Sequence, residues 1–100
     1  PYNLSGGEKK SVAIASVLAM EPSVILMDEP SASLDPRARR LMMELVESFG
    51  HTILLSSHDM GLVERLCPRT LLLHRGKLIA DGVTSELLGD KELMERCELI

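Results

Sequence analysis

Two adjacent carboxylates, Asp28 and Glu29, close the run Val24-Ile25-Leu26-Met27 and precede Pro30. An apolar run of this length reads as a buried strand, and in open α/β sheets ligands bind beyond the carboxyl ends of the strands. A carboxylate at such an edge suits Mg²⁺, which prefers oxygen ligands and keeps several waters. The carboxylate beside it can polarise an attacking water. Upstream, Ser5-Gly6-Gly7 stands at the head of a helical segment. A helix N-terminus offers unpaired N–H groups and the positive end of its dipole. Two glycines let a phosphate approach that backbone, and the serine hydroxyl adds a donor. His58 follows a second apolar strand at the position corresponding to Asp28 after the first. An imidazole there can bond a γ-phosphate oxygen and the attacking water. Each feature alone has a plainer reading: a capping box, a solvated loop carboxylate, a structural histidine. Together they point to phosphoryl chemistry.

The elements that must carry these residues follow from pattern. Residues 5–20 read as a helix, opened by the capping box Ser5-x-x-Glu8 and closed before Pro22. Val12, Ala13, Ala15, Ser16 and Ala19 give it small residues suited to close packing. Residues 24–27 read as a strand covered on both faces. Asp35-Pro36 is an N-cap followed by a first-turn proline, and the helix behind it carries Leu41, Met42, Leu45, Val46 and Phe49 up to Gly50. Strands are expected at 52–55 and 70–73, with a short helix capped by Asp59 between them and ended by Cys67-Pro68. Arg75-Gly76 reads as a hairpin turn into 77–80, and Thr84 and Asp90 are each placed to cap a short helix. The alternation of strand and helix with short links indicates an α/β fold with no internal boundary.

Composition narrows the class. The 100 residues are 45% hydrophobic, which fits a globular domain near the lower size limit for a self-sufficient core. Tyr2 and Phe49 are the only aromatics, so aliphatic side chains and methionine must build that core. A net charge of −4, with no basic stripe, disfavours a nucleic-acid surface. The cluster Arg37, Arg39 and Arg40 reads as a solvated helix face. Cys67 and Cys97 lack the spacing of a metal framework and fit a reducing compartment. His51 and His74 read as bland loop and strand-end residues. No apolar run approaches the ~20 residues of a membrane helix, and no signal peptide is expected.

The motifs Leu4-Ser5-Gly6-Gly7-Glu8, Val24-Ile25-Leu26-Met27-Asp28-Glu29-Pro30, Ser31-Ala32-Ser33-Leu34-Asp35 and Ser57-His58-Asp59 resemble, in order and spacing, those of the ATP-binding-cassette (ABC) ATPases. The likeness is to the C-terminal half of a transporter's nucleotide-binding subunit, and it covers essentially the whole chain. It implies that Leu4, Ser5, Gly6, Gly7 and Glu8 form the signature loop, which touches ATP held by the opposing subunit. Asp28 matches the Walker B carboxylate that serves Mg²⁺, Glu29 the catalytic glutamate, and His58 the switch histidine. Residues 31–35, with Ser33 and Asp35 toward the nucleotide, match the D-loop at the dimer interface. Glu8 departs from the glutamine of many members, and Ser11 stands where an arginine is frequent.

No G-x-x-x-x-G-K-[ST] loop occurs in the 100 residues, so half of the nucleotide site is expected outside them. The chain starts at Pro1, directly before a motif, as a partial sequence would. Residues 1–100 are therefore expected to be the C-terminal part of one ABC ATPase domain. The resemblance implies a P-loop NTPase parallel sheet flanked by helices, with a terminal hairpin. In the family fold the absent phosphate-loop strand lies between the strands at 52–55 and 70–73. Pro1 to Ala15, with Glu8-Lys9-Lys10, and Leu72-Leu73-His74-Arg75-Gly76-Lys77 look most like the cobalt/nickel and energy-coupling-factor importers. The implied cofactors are ATP and Mg²⁺. The implied partners are a second ATPase subunit, in a homo- or heterodimer, and a membrane permease, at the cytoplasmic face of the cell membrane. Two alternatives stay open: a non-transport ABC ATPase of the DNA-repair or chromosome-maintenance kind, and a non-catalytic truncated binding module.

Overall fold

A computed structural model describes residues 6–50 and 52–100. It separates into two compact units, Pro1–Ser57 and His58–Ile100. The first holds helix α1 (Gly6–Ala19), strand β1 (Val24–Asp28), helix α2 (Pro36–Glu47) and strand β2 (Thr52–Ser56). The second holds α3 (Met60–Leu66), β3 (Arg69–His74), β4 (Lys77–Val83), α4 (Thr84–Gly89) and α5 (Lys91–Arg96). The fold is α/β, as expected.

In the first unit β1 and β2 pair in parallel, with Val24 opposite Thr52 and Asp28 opposite Ser56. A parallel pair needs a crossover, and α2 supplies it. Asp35 starts α2 as its N-cap, accepting from the Ala38 N–H at 2.7 Å, with Pro36 at the first helical position. The helix stops at Glu47, earlier than Gly50 suggested, because Ser48 takes over its last carbonyls. The Ser48 N–H donates to Glu44 and Leu45, and Ser48 Oγ donates to the Leu45 carbonyl at 2.6 Å. Met42, Met43 and Val46 point inward from α2 and Ile25 from β1. Replacing the cap, Asp35→Ala, is expected to lower unfolding stability by ~1 kcal/mol, because the Ala38 donor loses its partner. Urea denaturation of the chain checks this, and a change within error would mean that Asp35 does not hold the helix start.

Two packing expectations are corrected. The strand at 24–28 is not buried on both faces: Ile25 is buried, whereas Val24 and Leu26 are 54% and 73% exposed. Leu26 lies opposite Leu54, itself 60% exposed, so one face of this two-stranded sheet is bare and apolar. A continuous apolar run encodes cover on both faces, and these residues provide it on one. Nor do the small residues of α1 pack closely. Val12, Ala13, Ala15, Ser16 and Ala19 are all exposed, and Ser16 turns its hydroxyl back to the Val12 carbonyl.

In the second unit β3 and β4 form an antiparallel pair in a sheet of their own. Arg75 and Gly76 turn the hairpin, both at positive φ (50° and 75°), as a two-residue primed turn requires. Arg69 donates through Nε and Nη2 to both carboxylate oxygens of Asp81, at 2.9 and 2.7 Å. That hydrogen-bonded guanidinium holds the Asp81 carboxyl below its ordinary range. Asp59 caps α3 by accepting from the Leu62 N–H at 3.0 Å, and Asp90 caps α5 by accepting from Leu93 at 3.1 Å. Thr84 does not act as a cap. It is the first residue of α4, buried, with its hydroxyl paired to that of Thr70 at 2.6 Å. Burial makes that hydroxyl need a partner, and Thr70 on β3 supplies one. Leu62, Val63, Leu72, Met94 and Cys97 are the buried apolar residues of this unit. No helix among the described residues is long and apolar enough to cross a membrane.

Candidate functional site

Parallel pairing brings the ends of β1 and β2 to one edge of their sheet. Asp28 is the last residue of β1 and Ser56 the last of β2, and they face each other in register. Ser56 Oγ donates to Asp28 Oδ1 at 2.5 Å. Asp28 is exposed at this edge, so its carboxylate is available to solvent while one oxygen is oriented by the serine. The chain then breaks sharply. Glu29 takes φ 46°, a left-handed conformation uncommon for a residue with a side chain. Its backbone is held from both sides. The Glu29 N–H donates to the Ser56 carbonyl at 2.8 Å, and the Glu29 carbonyl accepts from the Ala32 N–H at 3.1 Å. Such strain persists where surrounding bonds over-determine it, and it gathers at functional sites. Ser56 thus fixes both carboxylate residues, one through its hydroxyl and the other through its carbonyl.

The loop from Glu29 to Asp35 carries the remaining predicted residues of this edge. Ser33 is exposed, at φ 65°. Asp35 gives Oδ1 to the cap of α2. Gly6 and Gly7 are the first two residues of α1. Leu4 and Ser5 lie outside the described residues, as does the Glu8 side chain. His58 begins the second unit, exposed, directly before the Asp59 cap of α3. The register corrects one expectation about it. The residue equivalent to Asp28 is Ser56, and His58 comes two residues later, because β2 runs through Ser56 and does not end at Leu55. Among the described residues no group of His, Cys, Asp and Glu forms a preformed cage for a metal.

Two residues at this edge escaped the motif reading. The alignment of the two five-residue strands, Val-Ile-Leu-Met-Asp against Thr-Ile-Leu-Leu-Ser, was the available signal for Ser56. The other is Lys10 of α1, whose Nζ donates to the Ala32 carbonyl at 3.2 Å and the Glu29 carbonyl at 3.5 Å. Nothing in the sequence alone places a lysine against a loop that starts 19 residues later.

Comparison with known proteins shows the family of the chain. A family profile described as "AAA domain, putative AbiEii toxin, Type IV TA system" matches residues 1–64. A "Putative ABC transporter ATP-binding protein" of Geobacter sulfurreducens is 50% identical over 99 residues, covering 99% of this chain and 40% of that protein. The chain belongs to the ABC transporter ATP-binding protein family. Another family member, the energy-coupling factor transporter ATP-binding protein EcfA2 of Methanospirillum hungatei, is 45% identical, the match covering 99% of this chain and 26% of that protein. Among solved ABC structures, CbiO1 of Clostridium perfringens, part of the ABC transporter complex CbiONQ, aligns at TM-score 0.76 and 37% identity. That alignment covers 98% of this chain and 41% of CbiO1. A structure described as "an inward-facing conformation of a putative metal-chelate type ABC transporter" aligns at TM-score 0.85 and 28% identity, over 97% of this chain and 39% of that one. This ABC chain therefore spans about 40% of the length of the first relative it matches.

Proposed function

We propose that the full-length protein is an ATP-hydrolysing subunit that powers a membrane importer of the metal-ion or vitamin type. The observation that carries this reading is the edge formed by Asp28, Glu29 and Ser56, where adjacent carboxylates sit at the ends of paired parallel strands. In this reading Asp28 holds Mg²⁺ directly or through water, and Glu29 accepts the proton of the attacking water. His58 bonds the γ-phosphate, and Ser33 and Asp35 line the dimer interface. Leu4, Ser5, Gly6, Gly7 and Glu8 complete the site of the opposing subunit. Mg²⁺ supplies neutralisation of the phosphate charge when bound. The importer reading is supported by the likeness to EcfA2, an energy-coupling factor transporter ATP-binding protein, and to CbiO1, part of an ABC transporter complex. The partners are a second ATPase subunit and permease subunits, and the site of action is the cytoplasmic face of the membrane.

The division of labour between subunits has a direct test. Consider a dimer with Ser5→Arg in one subunit and Glu29→Gln in the other. Both lesions then fall in one composite site, and roughly half the wild-type ATPase rate remains where the two sites work independently. Both changes in one subunit, beside a wild-type partner, damage both sites and leave far less. The opposite ranking of the two dimers would mean that Ser5 serves its own subunit.

A further inference from the structure

Lys10 sits on the same helix as the signature glycines, one turn from the helix start, yet its ammonium reaches the catalytic loop. It donates to the Ala32 carbonyl at 3.2 Å and to the Glu29 carbonyl at 3.5 Å. Elsewhere α1 and β1 are separated by a cleft of about 220 Å³, lined by Ala13, Ile14, Val17, Ile25 and Met27 with Lys10 and Asp28 among its polar groups. Side chains on α1 leave this space open, so packing there resists little motion of the helix against the strand. The ammonium is shared between two carbonyls, so one side chain spans both ends of the turn that begins at Glu29. It also acts at a sensitive point, since Glu29 already holds a left-handed conformation at φ 46°.

From this geometry we infer that Lys10 is a positioning residue that ties the placement of α1 to the backbone of Glu29. The inference rests on the ATPase reading above, in which the start of α1 meets the nucleotide of the opposing subunit and Glu29 serves its own. Lys10 then links the two composite sites within one subunit. A shift of α1 on nucleotide contact is passed to the carbonyls of Glu29 and Ala32, and so to the angle at which the Glu29 side chain leaves the strand. The lysine does not touch substrate in this role.

The test is steady-state ATP hydrolysis by the full-length protein with Lys10→Met and Lys10→Arg. Lys10→Met is expected to lower kcat roughly fivefold or more, at the lower end of couplings between sites. KM for ATP and the melting temperature should stay near wild type, because nucleotide contacts and the core are untouched. Lys10→Arg, which keeps a charged donor of similar reach, should restore most of kcat. An unchanged kcat in Lys10→Met overturns the inference. So does a loss that Lys10→Arg fails to restore, or one matched by an equal rise in KM. A wild-type protein without ATPase activity would instead overturn the reading beneath it.

Discussion

Glu29→Gln in the full-length protein is expected to leave ATP binding near wild type and to lower hydrolysis by ~10²–10⁴-fold, the usual effect of removing a general base. Glutamine is nearly isosteric with glutamate. Its backbone can keep the Glu29 N–H bond to the Ser56 carbonyl and the turn bond from Ala32. What disappears is the negative charge that, in the proposed mechanism, takes a proton from water. The amide is a poor base, so binding and chemistry separate. Asp28→Asn is expected to act differently. On the proposed role of Asp28 it weakens an oxygen ligand of Mg²⁺ and should therefore reduce Mg²⁺-dependent nucleotide binding. Equilibrium binding of a fluorescent ATP analogue, alongside phosphate release, checks both variants. Turnover near wild type in Glu29→Gln would show that another group acts as the base and that the roles given to the two carboxylates are wrong.

The isolated residues 1–100 are expected neither to bind Mg-ATP tightly nor to hydrolyse it. In P-loop NTPases the phosphates are cradled by the backbone N–H groups and lysine of the glycine-rich loop, and these residues contain no such sequence. The Asp28 edge offers carboxylates, and a carboxylate without that cationic cradle repels a triphosphate. Titration calorimetry with Mg-ATP, followed by a phosphate-release assay, measures both quantities. Micromolar binding together with turnover would show that the chain holds a complete site and that the alternative of a non-catalytic module is excluded.

Much of this molecule was legible in the order of its residues, and the reasons are local. Asp35-Pro36, Asp59 and Asp90 each cap a helix because a short carboxylate reaches the N–H three residues on, whatever lies around it. Arg75-Gly76 makes the hairpin because the next residues repeat the strand pattern and glycine tolerates positive φ. The carboxylates Asp28 and Glu29 could be placed at a strand end because they directly follow a four-residue apolar run that reads as a strand. The family likewise follows from motif order, since the spacing of these motifs survives without any knowledge of packing.

The tertiary structure decided what depends on partners distant in the chain. Residue order made His58 the counterpart of Asp28, but the parallel register made it Ser56, because pairing is set by backbone bonds between strands 28 residues apart. Thr84 looked like a cap and became a buried hydroxyl on Thr70, since only the folded hairpin puts the two together. The apolar runs predicted strands covered on both sides, yet Val24, Leu26 and Leu54 stand open. A hydrophobic pattern records how much cover a strand calls for, and it says nothing of which residues supply it. Lys10 shows the same division most sharply. Its charge is written in the sequence, but its bonds to Glu29 and Ala32 exist only because folding carries α1 alongside the loop at the end of β1.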